Sequence, residues 1–492
     1  MNETMDDTAP NAQRFNWERV AVSAIVLFAL LFSLRGLTSY PAFWFDEALN
    51  IQAGRNLSEY GFLNLEVAPG VPYEKPYHLT TGYPVIAPLA ALFSMVGFDF
   101  AYARLYMIGW LLLFLYSAYL LARAHFGPTM ALLSLLLLAT FAPVYGNGET
   151  VIAEVPAMAL FFLGLFSLKK ASYRPPFIFL AGLLLGLAAA IKPIYFLIAP
   201  ALLLSAILKR NELSFRSEWL LWVGFLLPVL LYVFTIIPPS DALEESGSIL
   251  SFWQSRTAQG HLLENISANV IRMFKESSLL YTLLLSILVS CTIPWRKIMK
   301  GEVSRSLLIL GTYGMLILLF FLQSIGWNRY LLFFQAIVLL SVPPSLLRLR
   351  LHFPALSSFF SERARQLLLC SLIVMQTVHL FFFATIFKGT GADDFSSLLS
   401  KAPFGSIYVV NSAEGAAFVP PSRLYHYFDF FESNPPMENR LSNLERERFA
   451  HLLFDLDDKN VLPYLSTIER LYERVGEAQG VTLFSLKVAQ NL

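Results

Sequence analysis

The chain has 492 residues, of which 56% are hydrophobic, 15% aromatic and 14% charged, with a mean hydropathy of +0.56. Soluble domains run near a quarter charged, so an ordinary soluble globular protein is excluded and a polytopic α-helical membrane protein is expected. A net charge of +1 supplies no bulk field for nucleic acid, and the two cysteines, Cys291 and Cys370, lack the spacing of a disulfide framework or a structural zinc site.

Met1 to Pro10 is polar and acidic, whereas a signal peptide begins basic and turns apolar at once. The first apolar segment is therefore expected to remain as a membrane anchor. Apolar stretches of spanning length fall near 20–37, 104–123, 129–145, 156–168, 177–191, 194–208, 219–237, 278–293, 306–325, 330–347 and 366–387. Val85 to Phe98 is apolar but too short, and reads as a re-entrant or interfacial helix. Leaving it out places Arg14, Arg19, Arg123, Lys169, Lys170, Arg174, Lys209, Arg210, Arg216, Arg296, Lys297, Lys300, Arg305, Arg348, Arg350, Arg363 and Arg365 on one side. Short basic loops face the cytoplasm. The expectation is about eleven transmembrane helices, the amino terminus inside, and a large first extracytoplasmic loop at 38–103.

After Lys388 the pattern changes. Ile407 to Val410 and Val481 to Leu486 read as strands, Leu441–Phe449 and Leu465–Val475 as amphipathic helices. This suggests a membrane domain over 1–387 and a small extracytoplasmic α/β domain over 388–492. The run Asp455-Leu-Asp457-Asp458 reads as a solvated face.

Ionisable groups beside a bilayer are candidates for function. Phe43-Trp-Phe precedes Asp46-Glu47 and would lay the loop on the membrane interface, where aromatic rings settle. A carboxylate held there is partly desolvated and is a usable base; the plain alternative is that Asp46-Glu47 opens a helix, where Asp is a favoured N-cap and acids suit the first turn. Tyr73-Glu74-Lys75-Pro76 offers a carboxylate for a metal or a sugar hydroxyl and a cation for a phosphate. Glu149 and Glu154 flank the start of a span, where acids also suit the helix dipole. Lys192 would cost about 2.5–3.5 kcal/mol buried unpaired in a bilayer, and so needs a partner. With Lys75, Arg104 and Arg329 it puts four cations on the outer side.

These residues resemble the GT-C glycosyltransferases that use polyprenyl-phosphate sugars, in particular the protein O-mannosyltransferase-like group and the lipid A aminoarabinose transferases. Asp46-Glu47 stands where that family carries its acidic pair. Tyr73-Glu74-Lys75-Pro76 with Gly82-Tyr83 resembles the Glu-Lys-Pro stretch, and Gly97 to Arg104 the segment before the second span. Glu154 replaces a second acid that is usually Asp. Lys192 matches an outer lysine, and Arg329-Tyr330 a late Arg-Tyr motif. The resemblance covers about residues 43–347. It implies a GT-C type fold in a bacterial inner membrane and inverting transfer from a polyprenyl-phosphate-linked sugar donor to an extracytoplasmic glycan, lipid or protein acceptor. Asp46, Glu47 and Glu154 would be catalytic; Lys75, Arg104, Lys192, Arg329 and Tyr330 would bind the donor phosphate. A divalent metal ion, if present, would be held by Glu74 and His261. The competing readings are a transporter or flippase of lipid-linked sugars, which would place its polar groups near the midplane within internal repeats, and an assembly partner with an inactive site. No repeat is visible in the sequence.

Overall fold

A computed structural model describes residues 17–73, 75, 79, 81–171, 174–209, 214–236, 262–352, 361–384, 386, 391–428, 448–459 and 461–487. The membrane part comprises α1 (Trp17–Ser33), α2 (Phe45–Tyr60), a small hairpin β1 (Glu66–Ala68) and β2 (Val71–Pro72), α3 (Tyr83–Val96), α4 (Phe100–Phe126), α5 (Pro128–Ala139), α6 (Ala142–Gly148), α7 (Glu154–Lys170) and α8 (Pro175–Ala189). A 3-10 turn, Pro193–Leu197, leads into α9 (Ile198–Leu208). Then follow α10 (Phe215–Ile236), α11 (Leu262–Lys275), α12 (Ser277–Ser290), α13 (Arg305–Gln323), α14 (Asn328–His352) and α15 (Glu362–Val378).

Among the described residues, five helices are long and apolar enough to cross a membrane: α4, α10, α13, α14 and α15 with its continuation to Phe383. The number is up to seven if the bent pairs α5–α6, at 66°, and α11–α12, at 94°, each count as one span. Eleven crossings would also require α1, α7, α8 and the Pro193–Leu208 segment. Helix α3 has 14 residues with Pro88 inside it, about 21 Å of helix, short of a bilayer core. The protein is thus a multi-pass helical membrane protein. Helices α8 and α10 approach at their glycines: a Cβ on Gly182 would lie 2.1 Å from the Leu221 carbonyl oxygen, and one on Gly186 2.2 Å from that of Phe225. Such small-residue contacts let membrane helices pack backbone to backbone.

The two ends of the bundle carry different chemistry. At one end Arg123 pairs with Glu18, Arg305 with Glu218, and the Lys209 ammonium donates to the Gly301 carbonyl. At the other lie the pairs Glu47–Arg104, Glu154–Lys192 and Asp46–Arg329. Arg104 and Arg123 stand near opposite ends of the 27-residue α4, so the acid–base groups share one face, away from the basic loops.

The chain's last part forms a five-stranded sheet with β3 (Ile407–Val410), β4 (Leu424–Tyr427), β5 (His451–Asp455), β6 (Tyr472–Ala478) and β7 (Val481–Leu486), in the order β4-β3-β5-β7-β6. Strand β3 is parallel to β4 and β5; the other pairings are antiparallel. Helices α16 (Ala392–Ser400), α17 (Ala413–Phe418) and α18 (Leu465–Leu471) accompany it. The helix expected over Leu465–Val475 is corrected: it stops at Leu471. Tyr472 turns inward, 1% exposed, donates to the Phe449 carbonyl at 3.0 Å and starts a strand paired along β7. Of the expected Leu441–Phe449 helix, residues 441–447 lie outside the described residues. The acidic run is solvated as expected, with Asp455 and Asp457 exposed, and forms a turn: Asp457 N–H donates to Asp455 Oδ1, and the Asn411 amide donates to Asp458.

This sheet module is docked on α2. The Arg55 guanidinium donates to the carbonyls of Ala417 at 2.6 Å and Val419 at 3.1 Å and lies over the Phe98 ring. Gln52 meets His426 at 3.4 Å, and Thr38 donates to Asp393 at 2.9 Å. The expected resting place on the membrane interface is therefore corrected for Phe43, while Phe45 keeps 36% of its surface exposed. Phe43 is buried against Phe100, Phe395 and Phe418, and Phe45 packs on Phe428. The module offers Phe43 a drier surface than lipid headgroups do.

Candidate functional site

Helix α2 begins after Trp44, and Trp44, not Asp46, is its N-cap. Asp46 is thus not the cap but stands in the first turn of α2, where an acid suits the helix dipole, and its carboxylate pairs with Arg329, 283 residues away. The Asp46 side chain keeps 22% of its surface exposed while Arg329 keeps 8%. The partner is placed by a chain of polar contacts. Asn269 on α11 donates to the carbonyls of Phe321, Leu322 and Ser324, capping the end of α13. Arg272 binds the Gly326 carbonyl, and Asn328 donates to Glu276 at 3.2 Å. Gly326 has φ +74°, and a Cβ there would lie 2.0 Å from Asn269 Oδ1, so this turn requires glycine. The turn delivers Arg329 between aromatic rings, its guanidinium 4.7 Å from the Trp44 centroid, 4.2 Å from Trp327 and 5.5 Å from Tyr330.

Beside this pair, Lys192 Nζ donates to Glu154 Oε1 at 2.6 Å and lies 5.4 Å from the Tyr330 ring centre. Glu154 and Lys192 are 3% and 6% exposed. Lys192 is set by the break between α8 and the 3-10 turn, where the Gly82 N–H donates to the Ile191 carbonyl at 2.7 Å. A Cβ on Gly82 would come within 2.1 Å of the Ala190 carbonyl oxygen; the Gly82-Tyr83 motif is a point of close backbone approach. Glu154 Oε2 and Arg329 Nε are buried and have no hydrogen-bond partner among the described residues.

Glu47 and Arg104 form a separate unit. Both are fully buried, and Arg104 Nε and Nη2 bind Glu47 Oε1 and Oε2 at 3.1 and 2.8 Å. Arg104 also donates to the Leu37 carbonyl, and Glu47 accepts the Val151 N–H at 3.2 Å. Burial pushes the Glu47 carboxyl up, opposed by Arg104. Through these contacts Glu47 and Arg104, expected to act on acceptor and phosphate, tie α2 to α4. Lys75 is half-buried between β2 and α3. Glu74 and His261, the expected metal ligands, lie outside the described residues, and no group of three or more His, Cys, Asp or Glu among the described residues could hold a metal ion.

Three further acids stand outside the expected catalytic set. Glu149 is 4% exposed, and burial pushes its carboxyl up to about 8. Glu66 in the hairpin is fully buried and accepts the Gly70 N–H; burial pushes it up to about 7. Glu414, in the first turn of α17, is raised by burial and then by the charge of Asp46. No motif marked Glu414, because only the docking of the sheet module brings it near α2.

No protein-family model and no curated protein sequence matches this chain. Among solved structures it is similar to ArnT from Cupriavidus metallidurans bound to undecaprenyl phosphate, with a TM-score of 0.65 at 14% identity, covering 96% of this chain and 98% of that one. It is also similar to the Archaeoglobus fulgidus oligosaccharyltransferase in complex with Zn and sulfate, with a TM-score of 0.57 at 13% identity, covering 95% and 73%. The archaeal enzyme AglB with an inhibitory peptide and a dolichol-phosphate gives 0.54 at 11% identity, covering 97% and 75%. With 96% of the chain covered in the first of these, the chain has the GT-C fold.

Proposed function

We propose that the protein is an integral-membrane glycosyltransferase, moving a sugar from a polyprenyl-phosphate donor to an extracytoplasmic acceptor with inversion. The observation that carries this reading is the meeting of Asp46–Arg329 and Glu154–Lys192 at one face of the bundle. Two buried cations next to a base candidate suit a reaction whose leaving group is a phosphate, since fixed charges aimed at developing charge are an effective form of catalysis. Undecaprenyl phosphate in ArnT and dolichol-phosphate in AglB support a lipid-phosphate ligand.

In this reading Arg329 and Lys192, with Lys75 and Tyr330 at the margin, hold the donor phosphate. The acceptor oxygen attacks the anomeric carbon as the bond from that carbon to the phosphate oxygen breaks. The phosphate leaves with the electron pair, and Asp46 takes the acceptor proton. Glu154 keeps Lys192 charged and in place. Glu47 and Arg104 position α2 rather than touch substrate. A metal held by Glu74 and His261 would add Lewis acidity at the phosphate; no step here depends on it. The acid–base face would lie outside a bacterial inner membrane, with the amino terminus inside and the sheet module outside.

The test is Asp46→Asn in purified protein supplied with undecaprenyl-phosphate sugars, following release of undecaprenyl phosphate. Loss of a general base lowers turnover by about 10²–10⁴ while lipid binding persists. Unchanged turnover removes Asp46 from the chemistry.

A further inference from the structure

Helix α11 is amphipathic, but its polar side faces the protein. At 3.6 residues per turn, Asn265, Asn269 and Arg272 fall on one side, in line with Glu276 just beyond the helix. That side closes the end of α13, whose last carbonyls have no donor within their own helix. Buried Asn269 donates to the carbonyls of Phe321, Leu322 and Ser324, Asn265 to that of Gln323 at 3.4 Å, and Arg272 to that of Gly326. A second side is apolar and open: Leu263 is 80% exposed and Phe274 62%, with Val270 and Ile271 exposed between them. A third side carries Glu264, Ala268 and Lys275, and it too is exposed. The helix thus shows three sectors in turn, one to the protein, one apolar and one charged.

Two observations say what covers the apolar sector. Helix α12 packs along α14, where Gln335 donates to Thr282 at 3.1 Å. Helix α11 meets α12 at 94°, so it lies across the direction of the spans. Helix α13 has 19 residues, about 28 Å of helix, close to the thickness of a hydrocarbon core. Arg305 starts α13 at the basic end of the bundle, and α11 is bound at its other end. That is the level at which a span of this length leaves the hydrocarbon. A helix in that plane, with an apolar and a charged sector both open, has the form of one lying in a membrane interface. We propose that α11 is such a helix, with Leu263, Val270 and Phe274 seated in the lipid leaflet at the acid–base end. Its protein-facing sector then sets the depth of the Gly326 turn, and with it Arg329, against the bilayer. This holds whatever Arg329 binds.

The experiment places a nitroxide on single cysteines in the full chain, with both exposed native thiols removed by Cys291→Ser and Cys370→Ser, in phosphatidylcholine–phosphatidylglycerol nanodiscs. Collisions with oxygen, which concentrates in lipid, exceed those with a water-soluble nickel chelate at Leu263→Cys, Val270→Cys and Phe274→Cys. The order reverses at Glu264→Cys, Ala268→Cys and Lys275→Cys. A surplus of nickel collisions at the apolar positions, or one pattern on both sectors, overturns the assignment. Protection from both reagents at the apolar positions gives that sector to a protein contact and overturns it too. The coupling to Arg329 is read by Phe274→Glu, which loses hydrogen-exchange protection at residues 324–328 in nanodiscs, whereas Lys275→Gln on the charged sector keeps it. Unchanged protection in folded Phe274→Glu overturns the coupling. Thermal melting shows which variants fold, and Phe274→Ser carries the same test if Phe274→Glu does not.

Discussion

Replacing Arg104 with Met isolates what the Glu47–Arg104 pair does. The substitution removes both bonds to the Glu47 carboxylate and leaves it, 0% exposed, with only the Val151 N–H at 3.2 Å. Breaking a buried pair from one side costs about 3–5 kcal/mol. The cost has a ceiling, because the stranded carboxyl can take up a proton. From an unfolded value of 4.5, neutralisation at pH 7 costs about 3–4 kcal/mol. The sign of the pH effect follows. In the variant the folded value lies above the unfolded one, so stability is fullest below about 4.5 and falls as pH rises. Between pH 7 and pH 5 the variant therefore regains about 2–3 kcal/mol relative to the wild type. The assay is thermal unfolding of the detergent-solubilised protein at both pH values, for Arg104→Met, Glu47→Gln and the double variant. The double variant, with no stranded charge, melts closer to the wild type than Arg104→Met does. Equal losses in Arg104→Met and the double variant, or a deficit that does not shrink at pH 5, would refute the pairing argument. Retained binding of undecaprenyl phosphate by the double variant assigns Arg104 to structure rather than to the phosphate.

Other outcomes follow from the same geometry. Lys192→Met strands Glu154 and removes a donor-phosphate contact; undecaprenyl phosphate affinity falls about 10–100-fold, read by titration, whereas Glu154→Gln leaves affinity nearer the wild type. Arg55→Met removes charged hydrogen bonds to the Ala417 and Val419 carbonyls, each worth about 1.5–3 kcal/mol. Faster hydrogen exchange at residues 413–419 registers it, and unchanged protection would show that Arg55 does not hold the module. Glu66, raised by burial to about 7, has a folded value above its unfolded one. Its contribution is therefore present at low pH and lost as pH rises through 7. Stability falls by about 1 kcal/mol between pH 6 and pH 8, and Glu66→Gln removes that slope. Gly82→Ala drives a methyl group into the Ala190 carbonyl and the Tyr232 ring; it lowers the melting temperature and weakens lipid binding through the displaced Lys192.

The sequence alone determined that this chain lives in a membrane, since long apolar stretches recur in a chain far less charged than the usual soluble domain, and it separated the basic loops from the acid–base face. Asp46, Glu154, Lys192 and Arg329 were legible one by one, because an ionisable group beside an apolar segment needs a reason to be there. Their partners were not. Which carboxylate neutralises which cation depends on helix packing: Asp46 went to Arg329 and Glu47 to Arg104, although the two acids are adjacent in the chain. Successive residues on a helix point about 100° apart, so neighbours in sequence face different elements. The destination of Phe43 and Phe45, the strand over Tyr472–Ala478 and the packing of α17 on α2 were also beyond local pattern. The strand depends on pairing with β7 inside the module, the others on a surface that exists only once the module has docked on α2, and apolar burial is non-directional: it records how much area is covered, not by what.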